Sequence, residues 1–186
     1  WIRPGDHAAL VAHRTAGGWQ TEQLDAAQLG AVAPPLALAV AGGQPVLAVR
    51  RLTSGSLVVA ERNSDGAWTV DPVPVPPAPR KGEPPPSEFG RSFAMVALST
   101  GVALSVYDGT YGDLVLAVRS GGAWGTQRIA GVDAVTGAEH GDAGDPSALA
   151  LAADGALVAA WRDASRGEVR MARIAGAHVQ AQVVVA

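Results

Sequence analysis

Carboxylates gather in one glycine-rich stretch, residues 131–146, which reads GVDAVTGAEHGDAGDP. The acids there are Asp133, Glu139, Asp142 and Asp145, with His140 among them. Carboxylate oxygens are the ligands that Ca²⁺ prefers, so these acids are the candidate metal site and calcium is the one candidate cofactor. Their spacing does not follow a regular calcium-binding loop, and a solvated acidic loop without metal is the interpretation we favour.

A second set of candidates combines aromatic side chains with acids at the turns between predicted strands. Tyr107, Asp108 and Tyr111 surround one such turn, and Trp161 and Asp163 hold matching positions further along the chain. A few polar groups beside apolar rings are typical of a small binding site. We predict these five residues as ligand-binding, with interior packing of the rings and turn capping by the aspartates as the structural alternative.

Catalysis has weaker support in the sequence. Hydrolysis of a glycosidic bond requires two carboxylates that face each other across it, whereas the carboxylates here are scattered among turns. Arg14, Arg62 and Arg119 recur at one strand position in successive units. We therefore expect them to radiate outward, with their alkyl stems along the sheet and their charges in water. The sequence predicts no catalytic residue.

The candidate binding residues and the repeated arginines belong to a repeated unit of about 50 residues. This period is typical of propellers and similar arrays. Four segments of alternating apolar residues, each followed by a turn containing glycine, begin at positions 8, 55, 112 and 167. The residue after the turn is Trp19, Trp68 or Trp124, and His178 takes this place in the fourth unit. We predict that the three tryptophans are structural and largely buried between neighbouring sheets.

Short apolar runs, frequent glycine and proline, and abundant valine favour strands over helices. The sequence predicts an all-β fold, a β-propeller of four-stranded antiparallel blades. The first unit holds only the third and fourth strands, so the chain contains fourteen strands, or about three and a half blades. Small residues such as Ala37, Ala94 and Ala148 on the inner strands suit the taper toward the propeller axis.

The predicted units divide the chain at its long connections. Half of a first blade covers residues 1–30, followed by a second blade (31–75), a proline-rich connection (76–91), a third blade (92–131), an acidic connection (132–146) and a fourth blade (147–186). Because propellers close into rings of four to eight blades, we expect a fragment of a larger propeller or one half of a two-chain ring. Its partners would then include the remaining blades of the same polypeptide or a second chain.

Composition excludes several functional classes. The chain has 186 residues, a formal net charge of −3 and no cysteine, which excludes disulfides, thiolate metal sites and cysteine nucleophiles. It has no basic cluster, which argues against nucleic acid as a partner. Its apolar runs stay below the ~18 residues expected of a membrane span.

The segment SVYDGTYGDLVLAVRSGGAW (residues 105–124) resembles a repeat of secreted bacterial propellers of the myxobacterial type, "YYDxxxGDLxYAxxxGxxW". Residues 141–163, GDAGDPSALALAADGALVAAWRD, are similar to the entry segment of that repeat. The repeats are distant relatives of the sialidase-like and BNR (Asp-box) propeller group. NSDGAW (residues 63–68) departs from the Asp-box by being one residue too short. The resemblance implies a propeller that is extracellular or on the cell surface.

The sequence thus favours a non-enzymatic scaffold or binding module that contacts a protein or a glycan through its inter-blade loops. A carbohydrate-binding, lectin-like propeller with repeated pockets is the alternative. A sialidase-like glycoside hydrolase is a third hypothesis, and it would need convergent arginines and a tyrosine with a carboxylate partner.

Overall fold

The computed structural model describes residues 1–24, 26–131, 141–176 and 178–185. Within these ranges the chain forms fourteen β-strands and a four-residue helix, α1 (Ala26–Leu29). The strands form four antiparallel sheets, one of two strands and three of four. The predicted all-β class and number of strands are confirmed. In the part of the chain that is described, no helix is both long and apolar enough to cross a membrane.

Each sheet is a meander whose neighbouring strands follow one another along the chain. The first sheet contains β1 (Leu10–Thr15) and β2 (Gly18–Gln23). The second contains β3 (Val32–Ala41), β4 (Gln44–Arg51), β5 (Leu57–Arg62) and β6 (Trp68–Pro72). The third contains β7 (Phe89–Leu98), β8 (Gly101–Asp108), β9 (Asp113–Ser120) and β10 (Ala123–Ala130). The fourth contains β11 (Ala143–Leu151), β12 (Leu157–Asp163), β13 (Glu168–Ala175) and β14 (His178–Val185).

Tight glycine turns set the strand register. Ser120 at the end of β9 pairs with Ala123 at the start of β10, which leaves Gly121 and Gly122 as a two-residue loop. Their φ angles are 58° and 82°. A hairpin loop with two positive φ angles matches the right-handed twist of its strands, and glycine adopts these angles without a steric penalty.

Consecutive sheets pack face to face, and alternation along the strands supplies both faces. Val58 and Val59 on β5 are both fully buried. Val58 belongs to an apolar cluster with Val11 of the first sheet, and Val59 to a cluster with Val115 of the third sheet. Because successive side chains of a strand point to opposite faces, one strand contributes to two interfaces. A third cluster joins the third and fourth sheets.

The first strands of consecutive four-stranded sheets are in contact, and β11 also contacts β8 and β9. Strand β3 contacts β7, and β7 contacts β11. Alanines on these strands, including Ala37, Ala94 and Ala148, leave room for this close approach.

The three tryptophans differ in burial. Trp68 is 8% exposed and lies in the cluster between the first and second sheets, as predicted. Trp124 is partly buried against the cluster of the second and third sheets. The prediction is wrong for Trp19, which is 73% exposed. Trp68 is buried because the first sheet packs on its face; the matching face of the first sheet is not covered in the described part of the chain.

The register of the fourth sheet corrects one assignment. Arg62 lies opposite Trp68 and Arg119 opposite Trp124. At the same place in the fourth sheet, Ile174 lies opposite Val179. His178, predicted to replace the tryptophan, instead pairs with Ala175. The aromatic position of the fourth unit is therefore held by valine.

Candidate functional site

The predicted ligand residues lie where the second strand of a sheet turns into the third. We call this end of the sheets the connection end, defined by the turns at residues 109–112 and 164–167. Tyr107 and Asp108 finish β8, and Trp161 and Asp163 finish β12. The long connections that enter β7 and β11 arrive at the same end, since Gly109 and Ala164 bond to the backbone of Glu88 and Asp142.

A buried ion cluster organises this end of the third sheet. Asp108 and Asp113 are completely buried, and both accept hydrogen bonds from Arg128 Nη1, that to Asp108 being 3.0 Å long. Asp108 also accepts a bond from the backbone nitrogen of Thr110 at 3.1 Å, which fixes the turn. Buried carboxylates require such partners. Asp108 is therefore engaged by its own sheet, as the turn-capping alternative expected.

Arg128 also fixes the proline-rich connection on the sheet. Its Nη2 donates to the carbonyl of Pro77 at 3.0 Å, and its guanidinium lies 5.6 Å from the ring centroid of Tyr111. Tyr111 donates from its hydroxyl to the carbonyl of Pro84. The Thr110 hydroxyl accepts backbone hydrogen bonds from the neighbouring connection. Tyr111 thus holds the connection in place.

Tyr107 forms a pair with Asp142, whose Oδ1 accepts its hydroxyl hydrogen bond at 2.7 Å. Burial, followed by this carboxylate, raises the pKa of Tyr107 above its ordinary value, because both disfavour the tyrosinate. Asp142 also links the next sheet: its nitrogen bonds to Ser165 Oγ at 2.7 Å, and its carbonyl accepts from Ala164 at 2.7 Å. Asp142 therefore joins the turns of two sheets.

The matching position in the fourth sheet contains an open cavity. Its volume is about 280 Å³, and Trp161, Asp163, Arg166 and Arg170 are among its lining residues. Asp163 is buried and accepts from Arg166 Nη1 at 2.9 Å, with Arg170 Nη1 3.7 Å away. Trp161 is 2% exposed, and its Nε1 has no partner among the described residues. Nε of Arg170 is likewise buried without a hydrogen bond.

The structure therefore separates the five predicted ligand residues into two groups at one end of adjacent sheets. Tyr107, Asp108 and Tyr111 bond to protein partners, whereas the Trp161 donor beside the cavity has no hydrogen bond to any residue that the structure describes. Sequence reasoning missed Arg128, Arg166 and Arg170, the cations of both groups. Arg166 and Arg170 follow Asp163 closely in the sequence, and this was the available signal for them. Arg128 lies 20 residues from Asp108 and 15 from Asp113, so proximity in the sequence does not indicate it.

Only part of the predicted calcium site lies among the described residues. Asp133 and Glu139 lie outside the described residues, as does His140. Of the remaining candidates, Asp142 is bound to Tyr107, and Asp145 is exposed. Among the described residues, no group of three or more potential ligand side chains could hold a metal ion. Calcium binding by this loop remains a prediction.

The repeated arginines lie at the opposite end of the sheets. Val102 pairs with Arg119 on β9, whereas Tyr107 pairs with Leu114, so Arg119 is distant from the Tyr107–Asp142 pair along the strands. The expectation of solvated arginines is wrong for Arg119, whose side chain is 12% exposed. It bonds to Glu61 and lies 3.6 Å from Asp71, both in the preceding sheet.

Two such arrangements recur, and we call them the inter-sheet clamps. In the first clamp, Glu22 of the first sheet accepts from Arg62 Nε at 3.1 Å and from Trp68 Nε1 at 2.6 Å. In the second clamp, Asp71 accepts from Trp124 Nε1 at 2.7 Å, and Glu61 accepts from Arg119. Arg119 also lies 5.8 Å from the Trp124 ring centroid. Each clamp uses an arginine–tryptophan pair to bind carboxylates of the preceding sheet, one in the first clamp and two in the second.

Comparison with protein-family models, curated proteins and solved structures gives no match to this chain.

Proposed function

We propose that this chain is part of an extracellular or cell-surface β-propeller, and that it acts as a non-enzymatic binding module for a protein or a glycan. Support for a propeller comes from the order of the four sheets, which pack face to face in chain sequence through three apolar clusters. The first strands of consecutive four-stranded sheets are in contact. Blades that radiate from an axis have this arrangement.

The cavity beside Trp161 is the observation that supports binding at the connection end. A buried indole N–H without a hydrogen bond is costly, and native proteins rarely leave one unpaired. Here the Nε1 of Trp161, which has no hydrogen bond within the described ranges, belongs to a residue that lines an open cavity. A ligand that offers an acceptor there would recover the lost hydrogen bond.

The charges around this cavity favour a polar but uncharged ligand group. Arg166 and Arg170 are offset by Asp163 and by Glu168, whose Oε2 lies 3.7 Å from Arg170 Nε. Among the described residues, three buried atoms here have no hydrogen bond: Trp161 Nε1, Arg170 Nε and Glu168 Oε2, the last two facing each other as an ion pair. A sugar hydroxyl or a peptide amide both donates and accepts, so either group suits this set.

The lectin alternative needs equivalent pockets in several sheets. In the third sheet, Arg128 occupies the corresponding region and bonds to Asp108, Asp113 and Pro77. The cavity in the third sheet that Arg128 lines has the proline-rich connection, Pro76, Pro77 and Pro79, as its other wall. The two sheets therefore present cavities of different lining, which does not favour an array of equivalent sugar pockets. The hydrolase hypothesis has its tyrosine–carboxylate pair in Tyr107 and Asp142, but that tyrosine is buried and its pKa is raised, which opposes a nucleophilic role.

The test is a binding screen of the full chain against an oligosaccharide array and a set of uncharged peptides, followed by calorimetry on any hit. Trp161→Phe removes the indole N–H and keeps an aromatic ring. We expect it to weaken binding about 5- to 10-fold, the value of one hydrogen bond. Arg162→Met is the matched control, because Arg162 is the exposed neighbour of Trp161 on the same strand.

Two results would overturn the proposal. One is the absence of saturable binding across the screen, or equal affinity of the wild type and Trp161→Phe. The other is turnover of aryl sialosides or other aryl glycosides by the folded chain, which would make it an enzyme.

A further inference from the structure

Arg14 and Trp19 reproduce half of an inter-sheet clamp. They lie directly opposite each other on β1 and β2, as Arg62 and Trp68 do on β5 and β6. Arg14 is exposed and forms no hydrogen bond or ion pair with any described residue. In both complete clamps, a pair of this kind binds one or two carboxylates from the preceding sheet. The first sheet therefore presents a carboxylate-binding face that is not occupied within the described chain.

The clamp carboxylate recurs at one register position on the last strand of the first and second sheets. Glu22 lies opposite Val11, and Asp71 lies opposite Val59. Each is the third residue after its tryptophan, Trp19 or Trp68. The same register position holds Gln127 opposite Leu116 in the third sheet and Gln182 opposite Met171 in the fourth sheet.

The residues of the next sheet that correspond to this position differ according to whether it holds an acid or a glutamine. Glu22 accepts hydrogen bonds from both Arg62 and Trp68 of the next sheet. Asp71 accepts one from Trp124 and lies 3.6 Å from Nη1 of Arg119, whose Nη2 bonds to Glu61. The sheet that follows Gln127 has Ile174 opposite Val179 at the corresponding place. Within this chain, the sheet that follows an acid at this position has arginine and tryptophan at the corresponding place, and the sheet that follows the glutamine has isoleucine and valine there.

This rule makes a second copy of the chain a poor partner for Arg14 and Trp19. The fourth sheet, which would supply the contact, has Gln182 in place of the carboxylate. It also has Arg173 immediately before Ile174, where the second sheet has Glu61 immediately before Arg62. Arg173 is itself ion-paired with Asp154 of the same sheet. A second copy would thus offer no carboxylate at the clamp position, and the nearest acid there is already bound by its own arginine.

We propose that the face carrying Arg14 and Trp19 docks a β-sheet from outside this sequence whose edge strand carries aspartate or glutamate at the clamp position. A second copy of this chain is not that partner. Charge complementarity and the two complete clamps carry this assignment, which is independent of ligand binding at the connection end. It also disfavours a ring made from two identical chains that meet at this face.

The test supplies the missing acid on a probe built from this chain. The probe is the triple variant Arg14→Ala, Arg173→Met, Gln182→Glu, and the matched control lacks only Gln182→Glu. Arg14→Ala stops the probe from acting as its own receptor. Arg173→Met removes the arginine that precedes Ile174 and releases Asp154 equally in probe and control, so the two differ only at residue 182. Both Arg173 and Gln182 are exposed, and circular dichroism with thermal melting verifies that each variant folds.

Each probe is mixed with the wild-type chain and followed by sedimentation velocity at low and high salt. We expect the acidic probe to form a one-to-one complex at least about 10-fold tighter than the control, as for a charge-assisted hydrogen bond. Salt should weaken the complex, and a receptor with Arg14→Ala should lose the gain. The proposal fails if the acidic probe gains no affinity, if Arg14→Ala leaves that gain intact, or if the wild type alone dimerises through Arg14.

Discussion

Trp124 of the third sheet donates a 2.7 Å hydrogen bond from Nε1 to Asp71 of the second sheet. This bond crosses the interface between two sheets, next to the ion pair of Arg119 and Glu61. Aliphatic packing buries apolar area at such an interface but does little to fix the relative position of the two sheets. A charge-assisted bond with fixed geometry defines the lateral position of one sheet on the next.

Trp124→Phe should destabilise the chain by about 1–2 kcal/mol, because it removes a donor from a carboxylate and leaves most of the ring area in place. Trp19→Phe is the matched control and should change the free energy of unfolding by less than about 0.5 kcal/mol, as is usual at exposed sites. Urea unfolding measures both. Equal effects at the two positions would contradict the assignment of the clamp.

The Arg119–Glu61 pair should show a modest coupling energy that depends on salt. Glu61 is about one-third exposed, so we expect roughly 0.5–1 kcal/mol from a double-mutant cycle of Arg119→Met and Glu61→Gln. Raising the ionic strength should reduce it through screening. A coupling near zero at low salt would show that the pair adds nothing to the interface.

Much of this architecture was predictable, because short alternating strands and glycine turns act locally. The positions of β8, β9 and β10 follow from apolar alternation around residues 109–112 and 121–122. Other features depend on contacts between sheets. The exposure of Trp19 and the partners of Arg119 are set by what lies across an interface, which alternation along a strand does not encode.

The candidate site likewise has features that the sequence predicts and features that depend on contacts between distant residues. The aspartates at the turns were found because Asp108 and Asp163 recur at one position of the repeat. Their cations come from different places, Arg128 from β10 and Arg166 from a turn, so no repeat pattern connects them. The free Nε1 of Trp161 could not have been inferred either, since a buried tryptophan usually finds a partner.

Arg128→Met should be the most destabilising charge removal in the third sheet, at roughly 3–5 kcal/mol. It leaves Asp108 and Asp113 buried without their shared cation, and breaking a buried ion pair from one side has this cost. Arg91→Met is the control, because the ion pair of Arg91 with Glu88 is 3.8 Å long and exposed. Chemical denaturation should separate the two variants clearly, and a loss under about 1 kcal/mol for Arg128→Met would contradict the buried cluster.

Gly131→Ala should be far more costly than Gly121→Ala. Gly131 has a φ of 102°, and a Cβ there would lie 2.7 Å from the Cα of Asp113. Gly121 has a φ of 58° with open space around it. We expect about 1 kcal/mol for Gly121→Ala from the left-handed backbone alone. For Gly131→Ala, strain and overlap together should cost roughly 3 kcal/mol or more. Thermal melting of both variants compares them, and similar melting temperatures would be inconsistent with this close approach.

Tyr107 should remain a neutral phenol at alkaline pH, because burial and Asp142 raise its pKa. A group whose pKa is higher in the folded state stabilises the fold while it is protonated. This contribution is fully present at pH values below the pKa in the unfolded chain, which is about 10 for tyrosine. That contribution is lost as the pH rises above this value toward the folded pKa. The stability difference between wild type and Tyr107→Phe should therefore be constant up to about pH 9 and decrease above pH 10.

Because the chain has two tyrosines, the Tyr111→Phe variant allows the ultraviolet absorbance of tyrosinate to report Tyr107 alone. Ionisation of Tyr107 in that folded variant at or below pH 10 would show that its hydroxyl is not held by Asp142.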